Sequence, residues 1–108
     1  MSINTVNAII IGAELSDADG RGVLTAMLTL DYGGSAQGFG GLRLYRSMDD
    51  KQNYAGHFIW RVMEIAGVSR WSELVRKPVR ARQDGSAVYA IGHILKDEWF
   101  NPTEDFKV

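Results

Sequence analysis

Only one stretch of this chain, residues 53–66, places its apolar side chains at helical spacing. Ala55, Phe58, Ile59, Val62, Met63 and Ala66 recur at i, i+3, i+4 and i+7, the mark of a helix with one buried stripe. A lone stripe must be covered, and the rest of the chain offers strands to cover it. Residues 6–15 are apolar and β-branched. Residues 22–31 alternate, with Leu24, Ala26, Leu28 and Leu30 on one face and Thr25, Met27 and Thr29 on the other, as a half-buried strand requires. Residues 42–45 read as a third strand. Beyond the helix, residues 79–83 and 86–95 flank Asp84-Gly85, a two-residue hairpin signal. Strands grouped on either side of a helix predict an α+β fold. The expected form is an antiparallel sheet of about five strands, in the chain order β-β-β-α-α-β-β, with one main helix packed on it. Gly67 stands where a left-handed C-cap belongs. Ser69 is placed to cap a short second helix through Leu74, and Pro78 stops it.

The 108 residues suit a single domain over residues 1–108, with residues 96–108 as a tail packed on the core. An apolar share of 45% and a charged share of 23% are ordinary for a globular chain. The formal charge of −1 supplies no field for duplex DNA or an anionic membrane. With no cysteine, disulfides, thiolate metal sites and cysteine nucleophiles are excluded. The opening residues lack the basic segment of a signal peptide, and no apolar run approaches the length needed to span a bilayer. A cytoplasmic protein is expected.

Chemistry finds little purchase. Residues 32–41, YGGSAQGFGG, hold five glycines, yet Gly38, Gly40 and Gly41 do not have the spacing of a dinucleotide fingerprint. Leu42 and Arg43 stand where a phosphate loop needs Lys and Ser or Thr. The run reads structurally as a flexible connection or a bulged strand. Functionally it reads as a backbone surface that a ligand can approach closely. His57 and His93 are the only histidines. His57 and Glu64 share a helix face but lack a third ligand, so no metal and no cofactor are expected.

Two surfaces stand out. At 100° per residue, Trp60 falls about 140° from Ala55, on the side away from the stripe, with His57, Arg61 and Glu64 completing that outer face. Trp and Arg are common interface anchors, so His57, Trp60, Arg61 and Glu64 form a candidate partner-binding face, and a homo-oligomer would bury it equally well. The structural alternative is that the tail, through Trp99 or Phe100, covers Trp60. The second surface is the hairpin. A two-residue turn pairs Val79 with Ala90 and Ala81 with Val88 on an apolar face. It pairs Arg80 with Tyr89 and Arg82 with Ala87 on a basic, aromatic one, with His93 further along. Arginine forks suit phosphate and tyrosine can stack on a base. The tail sets Trp99 and Phe100 among acidic residues, and these aromatics can dock on the basic hairpin.

LTLDYGGSAQGFGG at residues 28–41, WSEL at 71–74 and AIGHILKDEWFNP at 90–102 resemble small accessory proteins of tailed phages and prophages. The resemblance implies a non-catalytic binding protein, acting in the host cytoplasm to inhibit an antiviral defence system by binding a defence protein, as anti-CRISPR proteins do. The alternative is a sponge for a cyclic or ADP-ribose-type nucleotide signal. Arg80 and Arg82 would then hold phosphate and Tyr89 would stack the base, with His93, Gly38, Gly40 and Gly41 lining the approach. A small nucleotide-processing enzyme using His57 or His93 is the remaining reading.

Overall fold

The computed structural model describes residues 3–16, 25–40 and 55–105. Its strands are β1 (Asn4–Ser16), β2 (Thr25–Asp31), β3 (Ala36–Gly40), β4 (Pro78–Gln83), β5 (Val88–Gly92) and β6 (Trp99–Phe100). The helices are α1 (Ala55–Ala66) and a single turn, α2 (Pro102–Asp105), with a 3-10 turn over Trp71–Glu73. All strand pairs are antiparallel, in the order β3-β2-β1-β4-β5-β6. The fold is thus α+β, with the main helix on an antiparallel sheet. The sheet curls enough to bring β3 towards β5.

β1 is central because it is long enough to serve two partners. Asn4 to Ile9 pair with β4, and Ile9 to Ser16 pair with β2. A bulge in the pairing with β2 falls between Ile10 and Gly12, and on the other edge of β1 the Ile10 amide donates to the Lys77 carbonyl while its carbonyl accepts from the Arg76 amide.

Side chains alternate across the sheet. Ala8, Ile10, Ala26, Leu28, Leu30, Phe39, Val79, Ala81, Ile91 and Phe100 are buried on the inner face and meet Phe58, Val62 and Ile65 of α1. Phe39, Phe58 and Phe100 form the centre, with ring centroids 5.4 to 6.0 Å apart. The buried centre of the helix therefore runs through Phe58, Val62 and Ile65, while Ile59 and Ala66 are only partly covered. That turns the stripe by about 60° from the expected one. Gly67 does cap α1: its φ is +73°, and Val68 N donates to Met63 O at 3.0 Å, the Schellman pattern.

Four expectations need correction. Among the described residues the sheet has six strands, not about five. The third lies within the glycine run, at Ala36–Gly40, while residues 42–45 lie outside the described residues; the turn is confined to Tyr32–Ser35, closed by Tyr32 N donating to Ser35 O. Gly40 earns that strand its place in the core, since a Cβ there would meet Phe58 Cζ at 2.6 Å and Ala26 O at 2.7 Å. Second, the short helix before Pro78 is only a 3-10 turn and Ser69 does not cap it; its hydroxyl donates to Glu73 Oε1.

The other two concern the hairpin. Its loop is Asp84–Ala87, not Asp84-Gly85 alone, with Gln83 opposite Val88. A two-residue type I′ turn needs positive φ at Asp84, and only Gly85 adopts it. Asp84 instead folds the loop over its own carboxylate, accepting from the Ser86 and Ala87 amides at 2.9 and 3.1 Å. Finally, Tyr89 is a bulge residue, so the register beyond it slips: Arg82 faces Ala90 and Arg80 faces Gly92. Arg80 does not face Tyr89.

Candidate functional site

Two surfaces concentrate the unusual side chains, and β6 joins them. On the helix, Trp60 remains 61% exposed, so Trp99 and Phe100 do not cover it. The tail instead runs along the neighbouring His57–Arg61 side. His57 Nε2 lies 2.9 Å from Asp105 Oδ2, and Arg61 Nε donates to the same oxygen at 3.3 Å. Arg61 also donates from Nη1 to Glu64 and from Nη2 to the Trp99 carbonyl at 2.9 Å. Its guanidinium carbon lies 5.5 Å from the centre of the Phe100 ring. His57 and Arg61 thus meet at Asp105, a residue with no sequence signal beyond its charge, and Glu64 joins them only through Arg61. His57 and Arg61 clasp the tail and leave Trp60 standing beside them. Gly56, one turn earlier, has nothing within 4 Å of the place a Cβ would occupy. The result is a flat helix edge with one projecting indole.

The outer face of the sheet carries the second surface. Val79, Ala81 and Gln83 point inward, so Arg80 and Arg82 point outward. Their aromatic partner is Trp99, not Tyr89. Trp99 pairs with Gly92, and a Cβ on Gly92 would lie 2.8 Å from the indole Cδ2 and Cε3. Only glycine lets the ring rest on that backbone. The Arg82 guanidinium carbon lies 3.9 Å from the ring centroid and that of Arg80 4.8 Å. The tail therefore docks on the basic hairpin within the same chain.

Tyr89 and His93 are engaged locally. The Tyr89 hydroxyl donates to Asp84 Oδ2. That hydrogen bond, followed by those from Ser86, holds the Asp84 carboxyl well below its usual range. The same bond pushes the Tyr89 phenol up. His93 Nδ1 accepts from the Leu95 and Lys96 amides, both at 3.0 Å, which fixes the loop before β6. Gly38 and Gly40 lie in β3, with β2 and β1 between it and β4 in the sheet order, and the places their Cβ atoms would occupy meet Met27, Leu28, Phe58 and Ala26, not the arginines. Phe58 fills the space beside Gly40, and Gly41 lies outside the described residues.

Among the described residues no three His, Asp or Glu side chains are grouped to hold a metal ion. No helix among them is long and apolar enough to cross a membrane. Neither a protein-family model, nor a curated protein, nor a solved structure matches this chain.

Proposed function

We propose that this chain is a non-catalytic binding protein whose contact face is the Trp60 edge of α1. One observation carries the reading: a large indole, 61% exposed, stands on a capped helix whose neighbouring polar side chains are already satisfied. Leaving such a ring in water forgoes roughly 1.5–3 kcal/mol of burial. A Trp flanked by a guanidinium and a bare Gly56 backbone has the make-up of an interface anchor. The clasp on Asp105 pre-orders the frame around it.

The resemblance to phage accessory proteins supplies the class of partner, a host defence protein met in the host cytoplasm. The mechanism is occlusion, in which the bound inhibitor blocks a surface that the defence protein needs. A second copy of the chain is the competing occupant.

Expression in a bacterium carrying a defined defence system tests both. The wild-type chain is expected to restore plating of a sensitive phage. Trp60→Ala should reduce that restoration at least about tenfold, as loss of an anchor does, with an unchanged unfolding midpoint. Restoration by Trp60→Ala equal to wild type removes this face from the mechanism. A dimeric solution mass that becomes monomeric in Trp60→Ala assigns the face to self-association.

A further inference from the structure

The two arginines on Trp99 do different things with their donors. Arg80 is spent on the loop before β6: Nε donates to the His93 carbonyl at 2.8 Å and Nη2 to the Lys96 carbonyl at 2.6 Å. Arg82 is exposed and lies closer to the ring, yet among the described residues it makes no hydrogen bond and no ion pair. Two guanidiniums are thus held within 5 Å of one ring centre, and among the described residues neither forms an ion pair with a carboxylate. Asp84, the nearest acid along the strand, accepts instead from Tyr89, Ser86 and Ala87. Asp97 and Glu98 form no ion pair with either arginine. The neighbours across β1 are Asn7 and Thr5, both uncharged.

Like charges gathered on one ring repel, and the ring offsets only part of that cost. A bound anion offsets the rest. The stacked guanidinium is also restrained before any ligand arrives. Its planar fork therefore loses less freedom on binding than a lysine would, and the indole beneath it thins the water that would otherwise screen it.

We propose that Arg82, backed by Trp99 and assisted by Arg80, binds a phosphate group. The Arg82 fork donates to two phosphate oxygens, and Arg80 adds the second positive charge that a phosphate monoester of charge −1.5 to −2 calls for. The outer plane of the Arg82 guanidinium gives a base somewhere to stack, so a nucleoside monophosphate and free phosphate are the two sources to separate. The site replaces Tyr89 and the β3 glycines of the expected nucleotide site with Trp99. It lies on the sheet face opposite α1 and does not depend on the Trp60 reading.

Nuclear magnetic resonance titration of the full chain at low ionic strength tests it, with inorganic phosphate, adenosine monophosphate and adenosine as probes. Saturable shifts of the Trp99 indole N–H and the Arg82 Nε–H are expected with both phosphate compounds and not with adenosine. An affinity for the nucleotide tenfold above that for phosphate supports the site with a stacked base. Equal affinities support it for phosphate alone. Arg82→Lys should weaken binding at least tenfold and Arg82→Gln should abolish it. Both should leave the melting curve near wild type, because Arg82 donates no hydrogen bond within the described chain. Trp60→Ala should leave phosphate binding unchanged. No saturable shift with either phosphate compound, binding that survives Arg82→Gln, or adenosine binding as tightly as its monophosphate would overturn the proposal.

Discussion

Trp60 and Trp99 belong to the two sides of the same sheet, and each has a glycine beside it. Gly56 precedes Trp60 by one helical turn and touches nothing where its Cβ would be. Gly92 pairs with Trp99 and is covered by its ring. Trp60 stands away from the core, with its polar neighbours turned to the tail. Trp99 carries two guanidiniums on its ring. The difference lies in what each indole is asked to do. Trp99 is the outer half of a two-residue pin whose inner half, Phe100, is fully buried against Phe39 and Phe58. Trp60 pins nothing within the described chain, and its 61% exposure is what the proposed binding role rests on.

Breaking the pin should cost most. Phe100→Ala removes the ring that meets both other core phenylalanines and that Arg61 covers, so about 3–5 kcal/mol of stability should be lost. Urea unfolding followed by circular dichroism measures it. A loss under about 1 kcal/mol, the size of an ordinary surface change, would mean that the tail is not docked as described.

The two glycines give a sharper comparison, because the same substitution should act with opposite sign. Gly92→Ala forces a methyl group into the Trp99 ring, at a cost of about 1–3 kcal/mol and with a red shift in indole emission. Gly56→Ala fills open space on a helix and should add about 0.5 kcal/mol, since alanine loses less backbone freedom there than glycine. If both destabilise alike, the two indoles do not differ in the way their surroundings indicate.

What could be read from the sequence follows from range. The helix, its Gly67 cap and the alternation of β2 rest on neighbours within one or two turns, and local spacing reports those. The outward position of Trp60 also follows from the wheel, even though Ile65 pulls the buried centre aside. β3 was hidden because glycine has a poor strand preference, and Ala36–Gly40 is a strand for a distant reason: Phe39 enters the core while bare Gly40 admits Phe58. β6 is too short to show a period. The basic face was visible in Arg80 and Arg82, but its aromatic was not. One bulge at Tyr89 shifts the register, and a loop held by Arg80 and His93 brings Trp99 to the place assigned to Tyr89. Asp105 reaches His57 across 48 positions, beyond any local pattern.

The smallest effect should come from the hairpin tip, and it asks whether Arg82 and Trp99 depend on that tip. The Tyr89 hydroxyl donates to the Asp84 carboxylate, lowering the pKa of Asp84 from an ordinary 3.8 and raising that of Tyr89 from an ordinary 10.0. A carboxyl whose folded pKa is depressed contributes stability above its unfolded value and loses it as the pH falls towards the folded one. A phenol whose folded pKa is raised contributes below its unfolded value and loses it as the pH rises through the folded one. The bond should therefore stabilise the hairpin fully between about pH 4 and pH 10 and fade outside those limits. Asp84→Asn should lower the melting temperature slightly at pH 7, with a gap from wild type that closes as the pH is taken below 4. Tyr89→Phe should show a gap that closes above pH 10. Trp99 emission should stay constant through both substitutions, since Gly92, Arg80 and Phe100 hold the ring independently of the tip. A shift in that emission would show instead that the tip and the Trp99 platform move as one unit, and would extend the covered side of the comparison to the end of the hairpin.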